Sequence, residues 1–199
     1  MLSRPMRHVA VVQSNSCKVL LAELRDVKTE CARWQVVADR LCVQLAEEAM
    51  ACEHLVSMKE VETPCGKLMC AVSGSPSEFC AVSIVRSGDI LMPAVRRTHV
   101  GISCGKILLQ RDENDSEKRP VWIYQKFPHN ISELKVLLCD PMLATGGSAI
   151  KAIECLLKAG VEESNITFIN VIASQEGIRA LHEIHPAVYI LTVAIDPVS

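Results

Sequence analysis

The sequence lacks both a long apolar run and an excess of charge of one sign. No apolar stretch reaches the roughly 18 residues that a membrane-spanning helix needs, so no membrane association is expected. Lysine and arginine together number 21, against 23 aspartates and glutamates, and the net charge is -2. This balance argues against a strongly basic nucleic-acid binder and against a polyacidic tail protein.

The spacings typical of metal and redox sites are also missing, although the chain has 10 cysteines. No two cysteines form C-x-x-C, and no cysteine and histidine set has zinc-finger spacing. Residues 1–22 have one short apolar run, at 9–12, and no cleavage-like segment of a secretory signal. Their three basic residues leave a transit peptide as an alternative, but the segment is only weakly amphipathic. We therefore predict reduced thiols and a cytoplasmic protein.

Length and composition favour one folded domain. A chain of 199 residues with 49% hydrophobic content can bury a core without disulfide or metal staples. We predict a single domain over residues 1–199, with residues 1–25 as an amino-terminal arm whose flexibility is left open.

Hydrophobic periodicity predicts strands that alternate with helices. A helix is expected over 26–51, with Cys31 and Cys42 on one buried face. Further helices are expected over 148–159, ended by Gly160, and over 176–183. Apolar runs typical of buried strands lie at 80–85, 102–110, 136–139, 166–173 and 189–195. Residues 63–66 indicate a turn, 114–120 an exposed loop or hairpin tip, and 121–124 its returning strand.

Continuous apolar strands between helices are typical of parallel sheets covered on both faces. The predicted fold class is therefore α/β, a mostly parallel twisted sheet flanked by helices, with an amino-terminal helical arm and a β-hairpin arm. Charged residues follow several strands directly, and in open α/β sheets ligands bind at that edge.

The segment 136–148 has the pattern of a sugar-phosphate site. A buried strand ends in Asp140, and a short loop with Thr145, Gly146, Gly147 and Ser148 leads into a helix. Glycine allows close backbone approach to a phosphate, and the first N–H groups of a helix favour an anion. An ionised aspartate accepts hydrogen bonds from ribose hydroxyls. The loop is neither G-x-x-x-x-G-K-[ST] nor G-x-G-x-x-G, which disfavours a nucleotide triphosphatase and a dinucleotide fold.

The run DPMLATGGS at 140–148 resembles the phosphoribosyl-diphosphate motif of uracil phosphoribosyltransferases, a type I phosphoribosyltransferase family. Other segments resemble that family in the same order: 38–41 with 47–49, VETPCG at 61–66, SIVRSG at 83–88, GKILLQRDE at 105–113, YQKFP at 124–128, and 192–196.

This resemblance implies transfer of the phosphoribosyl group of phosphoribosyl diphosphate to uracil, giving UMP and pyrophosphate in pyrimidine salvage. It implies Mg²⁺ carried mainly by the substrate, with no metal-binding residues, GTP as an effector, and a homodimer or homotetramer. Asp140 and Arg111 become the catalytic candidates. The implied phosphoribosyl-diphosphate-binding residues are Arg86, Arg111, Asp140, Pro141, Met142, Leu143, Ala144, Thr145, Gly146, Gly147 and Ser148.

Two departures from the family pattern keep an alternative open. The family continues beyond the position of Asp196 with a glycine-rich segment that reads the uracil edge, and the sequence printed here ends at Ser199. Serine also stands at 87, where alanine is common. The alternative is a catalytically silent regulator or partner subunit that binds phosphoribosyl diphosphate. A purine-type enzyme is disfavoured because Pro141, not a second acid, follows Asp140.

Two smaller features have simpler interpretations. Arg96, Arg97 and His99 form a basic patch, expected to be exposed, that could meet GTP or a partner subunit. His182 and His185 have a spacing that metal ligands sometimes use, but their place at a helix end predicts solvated side chains.

Overall fold

The computed structural model describes residues 8–111 and 120–197, and of Arg111 the backbone alone. The predicted loop at 114–120 therefore lies largely outside the described residues. The helices are α1 (Asn15–Arg25), α2 (Cys31–Met50), α3 (Met92–Thr98), α4 (Gly147–Lys158) and α5 (Gln175–Ile184). The strands are β1 (Val9–Val11), β2 (Val56–Thr63), β3 (Gly66–Ser73), β4 (Phe79–Val85), β5 (Ser103–Arg111), β6 (Pro120–Lys126), β7 (Lys135–Cys139), β8 (Met142–Leu143), β9 (Ile166–Ser174) and β10 (Tyr189–Asp196).

One mostly parallel sheet forms the centre of the fold. Its strand order is β1-β10-β9-β7-β4-β5-β6, and β8 adds a short pairing with β9. Every pairing in it is parallel except β5 with β6, which form an antiparallel hairpin arm. Strands β2 and β3 form a separate antiparallel hairpin around the predicted turn at 63–66.

The sheet is buried on both faces, which explains the continuous apolar runs. Along β4 and β7, alternate side chains join two different cores. Phe79, Ala81 and Leu137 pack with α1, α2 and α3, whereas Val82 and Leu138 pack with α4 and α5. The predicted α/β class, the five strands, the returning strand and the two later helices are confirmed. Among the described residues, no helix is long and apolar enough to cross a membrane.

The predicted helix over 26–51 is wrong at its start. It begins at Cys31, because residues 26–29 form a turn: the Asp26 side chain accepts the backbone N–H of Lys28, and its carbonyl accepts that of Thr29. The predicted burial of both cysteines is also half wrong. Cys42 is buried, but Cys31 is exposed, since residues 31–36 extend beyond the core.

The amino-terminal segment, for which we predicted a helical arm without bounds for a helix before residue 26, contains a helix of its own. Helix α1 follows edge strand β1 and packs against α2. It buries Cys17, Leu20 and Leu21.

The predicted solvation is wrong for His185 and holds only in part for His182, which is half-buried. His185 is 5% exposed, and its Nδ1 lies 3.1 Å from Oε2 of Glu163. His182 lies 3.0 Å through Nε2 from the carbonyl of Val188. The turn before β9 brings Glu163 to the end of α5, a contact between distant parts of the sequence.

Candidate active site

The neighbouring strands β4 and β7 mark the place where the chain changes direction across the sheet. After β4 the chain continues to β5 on one side, and after β7 it continues to β9 on the other. The two loops therefore diverge and leave a crevice beyond the carboxyl ends of the strands. Open α/β sheets bind their ligands at such a point.

The loop after β4 lies directly on the end of β7. It begins with Arg86 and Ser87, both exposed, and the Val85–Arg86 peptide bond is cis. A Cβ at Gly88 would overlap the backbone carbonyl of Cys139, so only glycine fits there. This close approach brings the loop to the residue that follows β7, Asp140.

Asp140 is a buried carboxylate held by two hydrogen bonds. The Ser87 hydroxyl donates to its Oδ1 at 2.7 Å, and the backbone N–H of Met142 also donates to the carboxyl. Burial raises the pKa of Asp140 to about 6, and the two hydrogen bonds limit that rise. The group is therefore mostly ionised at neutral pH, inside a site that is poorly solvated.

The loop after Asp140 is anchored on β9 and on the start of α5. The Pro141 carbonyl accepts the backbone N–H groups of Val171 and Ile172. The Ser174 hydroxyl, which caps α5, donates to the carbonyl of Ala144. A Cβ at Gly177 would overlap the same carbonyl. These contacts fix the loop from its inner side and leave Ala144 and Thr145 exposed.

The loop ends at the amino terminus of α4. Gly146 precedes the helix with a φ of 86°, a left-handed conformation that favours glycine. It has no side chain that could cap the helix, so the first N–H groups of α4 are available to an anion. Gly147 and Ser148 are half-buried there.

The hairpin arm brings the backbone of Arg111 close to this helix start. Arg111 pairs with Pro120 at the open end of β5 and β6. A Cβ on Gly147 would lie 3.6 Å from Cδ of Pro120. The side chain of Arg111 lies outside the described residues, so its predicted role stays a prediction.

An apolar cavity of about 290 Å³ opens beside the two loops that hold Ser87 and Asp140. Leu21, Trp34 and Leu41 of α1 and α2 line one side, and Pro141 and Met142 of the Asp140 loop line the other. We did not predict this part of the site. The spacing of Cys17, Leu20, Leu21 and Leu24 indicates the amphipathic α1, but no sequence signal marks Trp34 as a lining residue.

The predicted site residues therefore fall into two groups. Residues 140–148 form one continuous loop at the crevice, and Arg86 lies on the exposed loop after β4. Within that run Met142, Ala144 and Thr145 are exposed, whereas Leu143 packs into the core and Gly146 is buried. Arg111 is placed by its backbone alone. The hydrogen bond between Ser87 and Asp140 was missed, because it joins positions 53 residues apart.

Comparison with known proteins shows the family of the chain. The family described as uracil phosphoribosyltransferase matches residues 11–198. The chain is 40% identical to the uracil phosphoribosyltransferase of Saccharomyces cerevisiae over 198 residues, covering 98% of this chain and 89% of that protein. It is 38% identical to the uracil phosphoribosyltransferase of Dictyostelium discoideum over 197 residues, covering 98% and 88%.

The fold also has a solved counterpart. The structure of the AQ2163 protein from Aquifex aeolicus superposes with a TM-score of 0.77 at 23% identity, covering 94% of this chain and 87% of that one. This likeness supports the fold. The sequence matches over nearly the whole chain identify the family: the protein belongs to the uracil phosphoribosyltransferases.

Proposed function

We propose that this protein transfers the phosphoribosyl group of phosphoribosyl diphosphate to uracil in pyrimidine salvage, giving UMP and pyrophosphate. One observation carries the proposal: a buried, largely ionised carboxylate, Asp140, lies at the sheet crevice beside a glycine-hinged loop that ends at a helix amino terminus. This arrangement offers an acceptor for ribose hydroxyls and donors for a phosphate along one loop.

Each part of the substrate has a proposed binding group. The 5′-phosphate binds residues 144–148, where backbone N–H groups and the hydroxyls of Thr145 and Ser148 donate. The ribose hydroxyls donate to Asp140. The diphosphate lies between Arg86 and Arg111, since guanidinium groups bind phosphate oxygens through paired hydrogen bonds.

The reaction breaks the bond between ribose C1 and the diphosphate oxygen and forms one from C1 to N1 of uracil, which loses its proton. Positive charge develops on the sugar and negative charge on the leaving group. Asp140 is a nearby negative charge in a poorly solvated site, where it stabilises the developing cation. Arg86 and Arg111 stabilise the leaving diphosphate. No covalent intermediate with a protein nucleophile is required.

The residues fit a magnesium ion that the substrate brings. No group of three or more His, Cys, Asp or Glu side chains within 8–111 and 120–197 could hold a metal ion alone. Mg²⁺ commonly keeps several waters and binds substrate phosphates, with one or two carboxylates at most. When bound to the diphosphate, the ion would neutralise the charge that grows on the leaving group.

The apolar cavity supplies a surface for the base. It adjoins the Asp140 loop and is lined by Trp34 and by Met142, which is 60% exposed. A planar ring such as uracil loses contact with water there and gains contact with apolar side chains. The cavity thus supports a base position next to the sugar.

A catalytically silent regulator is not favoured. The matches to uracil phosphoribosyltransferases cover 98% of this chain, and Asp140 and the loop glycines are present. The test is incubation of the protein with Mg²⁺, phosphoribosyl diphosphate and labelled uracil. We expect UMP and pyrophosphate in equal amounts, and much less with the Asp140→Asn variant. Binding of phosphoribosyl diphosphate without any UMP would instead indicate the regulator.

Three further properties are part of the proposal. Arg96 and Arg97 line an open cleft of about 620 Å³ together with the Asp89–Lys106 ion pair, and the two guanidinium groups suit an anionic effector such as GTP. A homodimer or homotetramer is supported by exposed apolar side chains on the β6 arm, among them Trp122 and Tyr124. A cytoplasmic location is supported by the cysteines, all ten of which are free thiols.

A further inference from the structure

We propose that Ser87 is a positioning residue for this reaction: its hydroxyl holds the Asp140 carboxylate in one orientation and in its ionised form. The inference rests on the proposed function, because it concerns the carboxylate that the ribose is proposed to contact. Ser87 itself is not proposed to touch the reacting atoms.

The backbone fixes where the Ser87 hydroxyl can reach. Gly88 lies against the Cys139 carbonyl with no room for a Cβ, so the preceding residue is held above the end of β7. On the other side, Asp89 accepts the Ser83 hydroxyl at 2.7 Å and the Lys106 ammonium at 3.0 Å. The loop is thus anchored at 88 and at 89, and the distance of 2.7 Å from Ser87 to Asp140 belongs to an ordered turn.

The hydroxyl has a direct effect on a group that is 7% exposed. A buried carboxylate needs hydrogen-bond donors, because water cannot replace a missing partner. Asp140 has two, the Ser87 hydroxyl and the Met142 backbone N–H, and both favour its charged form. Without the hydroxyl, a single backbone donor remains to orient the carboxyl and to stabilise its charge.

Other charged groups near the crevice do not replace that donor. β9 and residues 141–148 contain no acidic or basic side chain. Burial raises the pKa of the adjacent Cys139 thiol, so it is neutral. In the described part of the chain, no charged side chain on the surrounding elements is a hydrogen-bond partner of Asp140. These side chains are Arg86, Asp89, Lys106, Arg25 and Asp196. Asp89 pairs with Lys106, and Asp196 pairs with Arg25.

The test is the pH dependence of kcat/KM for phosphoribosyl diphosphate in wild-type protein and in Ser87→Ala. Removing the hydroxyl should move the acidic limb upward by about one pH unit, since a hydrogen bond to the charged form lowers the pKa of a carboxyl. Relative to wild type, kcat/KM of Ser87→Ala should be about threefold lower at pH 6.5 than at pH 8.5. Any decrease that is the same at every pH comes in addition to this difference. Ser87→Thr keeps a hydroxyl and should restore the wild-type limb.

Ser83→Ala is the matched control. It removes a hydroxyl that anchors the same loop but donates to Asp89. We expect it to leave the acidic limb in place. An equal loss at every pH in Ser87→Ala, or the same shift of the limb in Ser83→Ala, would overturn the inference, because either result indicates a merely structural role for the hydroxyl.

A second measurement separates this inference from the proposed function. NMR titration of the Asp140 carboxyl in the ligand-free protein needs no turnover. A higher midpoint in Ser87→Ala than in wild type supports the positioning role even if no UMP forms. An unchanged midpoint refutes it even if UMP forms normally, and melting temperatures of all variants show that each is folded.

Discussion

Replacing Asp140 by asparagine should stabilise the ligand-free protein while it abolishes most of the turnover. The stabilisation follows from the raised pKa, which is about 6 against an ordinary value of 3.8. An acid whose pKa is raised in the folded state binds its proton more tightly there than in the unfolded chain. Its contribution to stability is therefore fully present below pH 3.8 and is lost as the pH rises through 6.

The size of the effect follows from the shift of about two units, which corresponds to about 3 kcal/mol of folding free energy lost at pH 8. Of this loss, about 1.4 kcal/mol falls between pH 5 and pH 8. Asparagine has a similar shape, stays neutral and can still accept the Ser87 hydroxyl through its oxygen. Its amide nitrogen cannot accept a hydrogen bond, so the backbone N–H of Met142 loses its acceptor. Subtracting about 1–3 kcal/mol for that unsatisfied donor, we expect a gain of about 0–2 kcal/mol at pH 8 that shrinks toward pH 5.

Urea unfolding of both proteins at pH 5, 6.5 and 8 measures this difference, and UMP formation is assayed in parallel. Asp140→Glu is a useful control, since it keeps the charge but not the geometry. A variant that is less stable than wild type at pH 8, or a stability difference that does not depend on pH, would refute the reasoning. So would full turnover in a variant without the charge.

Further predictions concern the loops around the crevice. Gly146→Val should eliminate calorimetric binding of phosphoribosyl diphosphate, because a β-branched side chain is strained at a φ of 86° and its Cβ would lie 3.2 Å from the Gly177 carbonyl, which displaces the proposed phosphate loop; unchanged affinity would contradict this. Gly88→Ala should destabilise the fold by about 1–3 kcal/mol in urea, since its Cβ would overlap the Cys139 carbonyl. Arg111→Ala should weaken diphosphate binding at least tenfold with an unchanged melting temperature, and a large fall in that temperature would indicate a structural role.

The sequence predicts the strands that bring the site together. Val136 to Cys139 read as a buried strand because both faces of the sheet are covered, and Asp140 follows at its end. The glycine pair at 146–147, directly before an apolar periodic segment, predicts the start of α4. Such features depend on patterns within a few neighbouring residues, and these patterns can be recognised in a single sequence.

The rest depends on contacts between distant segments. Nothing local indicates that Ser87 reaches Asp140, or that Glu163 covers His185. The start of α2 was misplaced because the turn at Asp26 competes with the helix, and apolar periodicity does not register that competition. The cavity lined by Trp34 forms where α1 and α2 pack beside the Asp140 loop, and local sequence patterns do not determine that packing.

The most direct test of the account is a crystal structure of the protein with phosphoribosyl diphosphate and Mg²⁺. We expect the 5′-phosphate within hydrogen-bond distance of the backbone N–H groups of residues 145–148, and ribose hydroxyls donating to Asp140. A ligand held elsewhere, for example in the cleft lined by Arg96 and Arg97, with residues 140–148 untouched, would contradict it.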